Sequence, residues 1–255
     1  LAEVDFTATQ PDLSQSPSCV SAIQQFDDPQ VDAAIEQAVA ALLKSRRPVL
    51  IVGGGVIRAG ASKFVTEFCE SYPLPIVSTL MGLGSIAPNQ PYYLGLTGMH
   101  GHRAANLTVA DADLIIAVGS RFSDRVTSDR SCYTKGKTII HLDIDAAEIG
   151  KNVETAVMVI GELQHSLKNL SQRLRHSALP DHTAWLTQVS QWQDQHQTQT
   201  DTTVLNPVWI MQHLSTAVAA LPVTWISDVG QHQMWAAQHL SVESPGTWLT
   251  SGGLG

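Results

Sequence analysis

Four short runs dominated by Val, Ile and Leu, at residues 48–52, 75–78, 113–118 and 138–142, constrain the fold more than any other feature of the chain. They lack apolar–polar alternation, as expected of strands buried on both faces of a sheet. Helical signals separate them. Asp28 and Pro29 read as the cap and first turn of a helix whose Val31, Ile35, Val39 and Leu42 or Leu43 share a face. Phe64, Val65 and Phe68 mark a second helix, and residues 103–110 a third. Strands alternating with helices require right-handed crossovers, so the expected fold class is α/β with a doubly wound parallel sheet. In such sheets ligands bind outside the carboxyl ends of the strands.

The 255 residues, 44% of them hydrophobic, suit one complete domain and part of another. Residues 1–28, rich in Ser, Gln, Thr, Pro and Asp without periodicity, read as an interdomain linker. Residues 29–170 form the expected α/β domain. Residues 171–205 are polar, broken at Leu179-Pro180 and rich in Gln, and read as a second linker with some helix. From 206 to 255 a second α/β domain opens. Asn206-Pro207 caps a helix with Met211, Leu214, Val218 and Leu221 on one face, and residues 223–226 form a strand. The chain is expected to be a fragment that stops inside this domain.

A net charge of -8, from 23 acidic and 15 basic residues, argues against nucleic acid as a partner. Cys19, Cys69 and Cys132 are scattered, without C-x-x-C spacing, and read as reduced thiols of a cytoplasmic protein. No run approaches the roughly 18 apolar residues of a membrane span, and Leu1-Ala-Glu-Val-Asp5 carries no basic leader.

The chemistry concentrates at strand ends. Gly53, Gly54 and Gly55 follow the first strand, where missing side chains let a phosphate or ring approach the backbone. Triple glycine alone is a weak signal, because a turn packing strand on helix needs the same residues. The other strand ends are also small or polar: Thr79-Leu-Met-Gly82, Gly98-Met-His-Gly-His-Arg103, Gly119-Ser-Arg-Phe-Ser-Asp-Arg125 and Asp143-Ile-Asp145. Small residues, an arginine fork for pyrophosphate and a carboxylate for ribose hydroxyls are what a dinucleotide pocket needs. Plainer readings stand beside each. His100 and His102 lack the further ligands of a metal site, Arg121, Asp124 and Arg125 suit a solvated ion-pair cluster, and Asp143 and Asp145 suit helix caps. Trp185 and Trp192 read as one helix face, and His232 as a polar residue beside a sheet. All of these falling at successive strand ends by chance would be a coincidence.

Taken together, Val52-Gly-Gly-Gly55, Gly98-Met-His-Gly101, Ala105-Asn106, Arg121-Phe-Ser-Asp-Arg-Val-Thr127, His141-Leu-Asp-Ile-Asp145 and Asp228-Val-Gly-Gln-His-Gln-Met-Trp235 closely resemble the catalytic large subunits of the acetolactate synthase family, which depend on thiamine diphosphate. The resemblance runs from about residue 29 to 255. It implies a Rossmann-like middle FAD domain followed by the opening of the pyrophosphate-binding domain. FAD is then expected along Gly53, Gly54, Gly55, Thr79, Leu80, Met81, Gly98, Met99, His100, Gly119, Arg121, Arg125, Val126, Asp143, Ile144 and Glu162. Thiamine diphosphate is expected near Val229, Gly230, Gln231, His232 and Gly255, and Met99, Asp124 and Arg125 would line the substrate channel. Two positions depart from the family pattern: Ser123, usually a carboxylate, and Glu162, usually aspartate.

The implied reaction joins two 2-oxo acids. Pyruvate loses carbon dioxide and is condensed with a second pyruvate or with 2-oxobutyrate, giving 2-acetolactate or 2-aceto-2-hydroxybutyrate for branched-chain amino-acid biosynthesis. The flavin of this family is largely structural. The catalytic glutamate and the Mg2+ ligands are expected outside these residues, so the fragment itself is expected to be inactive, with no catalytic or metal-binding residue of its own. Dimers or tetramers and a small regulatory subunit are the implied partners. The alternatives are a sister enzyme (a pyruvate oxidase or an ADP-binding decarboxylase), a standalone nucleotide-binding or deacetylase-like module, and a non-catalytic interaction protein.

Overall fold

The computed structural model describes residues 29–196 and 205–252. The expected linker at 1–28, Cys19 and Gly255 lie outside the described residues. After helix α1 (Pro29–Leu42), strand β1 (Pro48–Val52) leads into the short α2 (Gly54–Arg58) and then α3 (Ser62–Ser71). Next come β2 (Ile76–Ser78), a 3-10 turn (Leu80–Gly82), β3 (Tyr93–Leu96), α4 (Arg103–Asp111) and β4 (Leu114–Val118). The short α5 (Asp124–Thr127) and α6 (Arg130–Thr134) precede β5 (Thr138–Asp143) and β6 (Val157–Ile160), and α7 (Leu163–Leu174) and α8 (Thr183–Gln195) complete the first unit.

All six strands pair in parallel, in the order β3-β2-β1-β4-β5-β6. This is the doubly wound order, and the direction of winding reverses between β1 and β4. Val52 pairs with Val118 at that reversal, so two strands release their carboxyl ends side by side. The buried runs are explained by two separate cores. Leu50, Val52, Ile116 and Val118 face α1, α3 and α7, while Val49, Ile51, Ile115 and Ala117 face α4 and α8. Alternate residues thus point to opposite faces, and both faces are covered.

β3 and β6 are edge strands that the sequence reading did not pick out, although β6 lies in the apolar run 156–160. β3 contains Gly95 at φ +76°, and β6 exposes Met158. The polar stretch read as a linker carries α8, whose Trp185 and Val189 are buried against the second face. Trp185 and Trp192 meet edge to face at 5.8 Å, on one helix face as expected. The Trp185 indole donates to the Pro48 carbonyl at 2.9 Å, and His182 Nε2 donates to the Ser45 carbonyl at 3.2 Å, fastening α8 to the start of β1.

Asp113 fastens the same corner. Its carboxylate accepts from Ser45 Oγ at 2.5 Å and from the amides of Arg46 and Arg47 at 2.9 and 3.1 Å. Burial raises its pKa, but these donors and the Arg47 charge outweigh that and hold it below the usual carboxylate value. Cys69 is buried and free; burial, and secondarily Glu70, push its thiol up to about 12, so it stays protonated. Cys132 is free and exposed.

The second unit comprises α9 (Pro207–Ala217), β7 (Trp225–Ser227), α10 (Gln231–His239) and β8 (Trp248–Thr250), with β7 parallel to β8. Asn206 caps α9 as expected, its side chain accepting from the Trp209 amide at 2.9 Å. The expected apolar face is only partly realised: α9 stops at Ala217, and Leu214 and Leu221 are exposed. Ile226 of β7 is 78% exposed, so the two-stranded sheet carries an uncovered apolar side. Buried Gln233 ties α10 to β8, donating to Thr250 Oγ1 at 2.6 Å and the Ser251 carbonyl at 3.2 Å. The two units share a core of Leu83 and Leu96 with Ala236, Ala237, Val242 and Trp248. At its margin His102 meets His239 edge to face, with ring centroids 6.0 Å apart. Burial, then the His102 charge, lower the His239 pKa from 6.5 to about 4.

Two tests follow from these corners. Asp113→Ala should lower unfolding free energy by about 1–3 kcal/mol, the scale of losing hydrogen bonds to a charged acceptor and orphaning the buried Ser45 hydroxyl, read from the urea midpoint at pH 7. For His239, the unfolded chain binds its proton first, between pH 6.5 and about 4. Stability is therefore intact above that window and falls as pH drops through it. Tryptophan fluorescence during acid titration should register this loss, and His239→Phe should blunt it.

Candidate functional site

At the reversal of winding, the turns after β1 and β4 are in backbone contact. The Gly53 amide donates to the Val118 carbonyl and the Gly55 amide to the Gly119 carbonyl, both at 2.9 Å. A Cβ at Gly55 would stand 2.6 Å from Gly119 Cα, and one at Gly53 would overlap the Gly119 carbonyl. Gly119 itself has φ +58°. Two of the three glycines are therefore required by the turns themselves, as the plain structural reading had it. Gly54 is partly exposed and faces Met81, whose Cβ would be 3.0 Å from a Cβ placed there. Thr79 is buried with its amide on the Val52 carbonyl at 2.9 Å, while Leu80 and Met81 stand partly exposed in the following turn.

Beyond β3, Gly98 adopts φ +105° and lies against Arg125 and Val126. The Met99 amide donates to the Arg125 carbonyl at 2.8 Å, and the Arg125 guanidinium lies 3.6 Å from Met99 Sδ. Met99 is 54% exposed. After β4, Phe122 takes φ +49° and buries its ring, leaving Arg121, Asp124 and Arg125 exposed around it. Among the described residues no carboxylate reaches ion-pair distance of Arg121 or Arg125. Asp124 instead accepts from the Arg125 amide at 3.0 Å, so the ion-pair cluster is not formed. The Ser120 hydroxyl, buried beside Gly119, has no hydrogen-bond partner.

Asp143 and Asp145 shape the turn after β5 rather than cap a helix. Asp143 accepts from the Asp145 amide at 3.0 Å and Asp145 from the Ala147 amide at 2.9 Å. Between them Ile144 is exposed. Behind this turn His141 is fully buried, edge-on to Phe122 at 5.1 Å, with the Ser120 backbone beside its ring. Burial lowers its pKa, and the Asp143 carboxylate, 3.9 Å away, opposes that. Glu162 precedes α7, exposed and with no side-chain cap bond.

The expected flavin residues thus lie along one edge of one sheet. Gly53, Gly54, Gly55, Thr79, Leu80, Met81 and Gly119 gather at the reversal, with Gly98, Met99, Arg125 and Val126 beside them. Asp143, Ile144 and Glu162 lie farther along; from β3 to β6 there are five inter-strand steps, roughly 24 Å at about 4.8 Å each. The loops of residues 98–100 and 80–82 also border the second unit. Gln238 of α10 donates to the His100 carbonyl at 2.6 Å, and Gly252 would place a Cβ 3.1 Å from Met81 Sδ. There Gly230, at φ +151°, opens α10, with Val229, Gln231 and His232 exposed. His100 and His102 do not act as a pair, since His102 faces His239. Among the described residues no three His, Cys, Asp or Glu side chains cluster as a metal site, and no helix is long and apolar enough to cross a membrane. Sequence reasoning missed Ser120, whose burial no pattern announces. It quoted Asn106 without a role, although that side chain contacts Gly98 eight residues away.

Comparison with known proteins agrees with this layout. The family model for the thiamine pyrophosphate enzyme central domain matches residues 35–170, and that for the C-terminal TPP binding domain matches residues 228–255. The chain is 41% identical over 223 residues to the acetolactate synthase isozyme 2 large subunit of Escherichia coli (strain K12), covering 88% of this chain and 40% of that protein. It is 39% identical over 230 residues to the acetolactate synthase large subunit of Parasynechococcus marenigrum (strain WH8102), covering 89% and 37%. It is 40% identical over 228 residues to the acetolactate synthase of Mycobacterium leprae (strain TN), covering 87% and 36%. The chain therefore spans about two fifths of the length of the curated relatives it matches. The whole six-stranded sheet falls inside the central-domain match, and the chain belongs to the thiamine pyrophosphate enzyme family.

Proposed function

We propose that the protein carrying this chain is an acetolactate synthase large subunit, which condenses two pyruvates, or pyruvate and 2-oxobutyrate, with loss of carbon dioxide. The observation that carries this reading is the 41% identity over 223 residues, a span too long to leave out the sheet edge. In this reading residues 29–170 are the middle FAD domain, 171–205 a connection bearing α8, and 206–255 the start of the thiamine diphosphate domain.

The edge suits FAD. Two exposed guanidiniums without carboxylate partners, Arg121 and Arg125, would hold the pyrophosphate, and the orphaned Ser120 hydroxyl lies close behind them. Asp143 would accept from ribose hydroxyls, and exposed Met99 and Ile144 offer apolar contact to the ring systems. FAD, when bound, would order this edge rather than exchange electrons with substrate. Val229, Gly230, Gln231 and His232 would border thiamine diphosphate, which supplies the nucleophilic carbon and the electron sink for decarboxylation and carbon–carbon bond formation. The role of Met99, Asp124 and Arg125 would be to orient a 2-oxo acid carboxylate at the channel. Mg2+ would be held by residues outside this chain. The relatives' description as large subunits supports a small regulatory subunit as a partner; a dimeric or tetrameric assembly in the cytoplasm completes the reading.

The decisive measurement is a titration of the full-length protein with FAD, read by flavin absorption, with ADP and a nicotinamide dinucleotide as controls. Saturable binding selective for FAD, together with acetolactate formation from pyruvate, is the expected result. Preference for ADP, or absence of acetolactate, would overturn the reading. Arg121→Ala and Arg125→Ala should each weaken FAD binding by about tenfold or more, the scale of one charge-assisted hydrogen bond.

A further inference from the structure

The 98–100 loop owes its conformation to one side chain outside it. The Gly98 amide donates to Asn106 Oδ1 at 2.9 Å, and Asn106 Nδ2 donates back to the Gly98 carbonyl at 2.9 Å. Thr97 Oγ1 donates to the same Oδ1 at 3.1 Å, so two donors on the oxygen and one acceptor on the nitrogen fix which way the amide points. Gly98 lies just past the end of β3, where the ladder with β2 has run out, and Asn106 supplies the pair of bonds that a neighbouring strand would have made.

Asn106 is itself fixed. It sits in the first half of α4, between buried Ala105 and buried Val109, with its amide on the His102 carbonyl at 3.0 Å. Gly98 has no side chain to hold its own place, and a Cβ there would meet the Arg125 carbonyl at 2.5 Å. The next residue continues the connection, through the Met99 amide on the Arg125 carbonyl and Met99 Sδ beside the Arg125 guanidinium.

We propose that Asn106 is a positioning residue for the cofactor edge: by gripping both backbone groups of Gly98 it sets where Met99 stands against Arg125. The proposal deepens the FAD and channel reading given above and rests on it. Asn106 acts through the loop, by its bonds to Thr97 and Gly98. Because its carboxamide is only half-buried, water can take over its bonds when it is replaced, and the sheet should survive the change.

The test uses Asn106→Leu, which keeps the size and removes all three bonds, and Asn106→Asp, which keeps the acceptor but turns a carboxylate oxygen toward the Gly98 carbonyl. Both are made in the full-length protein. Hydrogen exchange by mass spectrometry should show peptides covering residues 97–101 exchanging at least tenfold faster, while peptides covering β4 keep their protection. FAD affinity should fall about tenfold, and the absorption spectrum at FAD saturation should shift, which a purely structural loss would not cause. Unchanged exchange at 97–101 overturns the proposal, as does faster exchange throughout the sheet, which would mark a general packing residue. Local loosening with wild-type FAD affinity and spectrum also overturns it. If the unmodified protein takes up no FAD, the flavin reading falls separately, and the exchange comparison alone decides whether Asn106 sets the loop.

Discussion

The backbone contact between Gly53, Gly55 and Gly119 is the constraint on which the rest depends. In a doubly wound sheet the two strands flanking the reversal send their next helices to opposite faces, which ordinarily opens a crevice between their turns. Here the turns close on each other through paired amides, at a separation that admits no Cβ. The floor of the edge is thereby rigid. The loops after β2, β3 and β4 stand around it as walls, and the side chains with exposed charge, Arg121 and Arg125, are carried on the wall rather than the floor.

That division explains the character of the edge. A tight floor made of main chain presents amides, carbonyls and little else. Recognition must then come from residues projecting from short, well-supported turns, and several are held in uncommon conformations. Phe122 and Gly98 are both at positive φ, one anchored by a buried ring and the other by Asn106. Backbone conformations of this kind persist where surrounding contacts over-determine them, and they gather where a ligand must be met at a set distance.

How much of this was legible in the sequence depended on how local the cause was. The central strands announced themselves because burial on both faces leaves no polar residue in β1, and the cap at Asn206 was readable because its mechanism spans three residues. Edge strand β3 was hidden by a left-handed glycine in its middle, whereas β6 was overlooked although Val157–Ile160 is a continuous apolar run. The glycines after β1 were found, with a tight turn as one of their readings, but their partner was not: they are shaped by Gly119, more than sixty residues later, which no local pattern reports. Arg121 and Arg125 stand at a strand end as expected, whereas the absence of a carboxylate at ion-pair distance from them, among the described residues, emerged only from the packing. The polar stretch was read as a linker with some helix; within it Trp185 and Val189, with Trp192 beside them, join α4 in covering one face of the sheet.

The shared core between the two units has an energetic consequence. Trp248 of β8 and Ala236 and Ala237 of α10 pack against Leu83 and Leu96 of the other unit. The folding equilibria of the two units are thus linked, and free energy delivered to one is felt by the other. An occupant of the sheet edge that steadies the loops at 80–82 and 98–100 would, by mass action alone, also raise the fraction of time in which Gly230 and α10 stand ready. The flavin proposed above would in this way act as a thermodynamic ligand for the neighbouring unit without exchanging an electron.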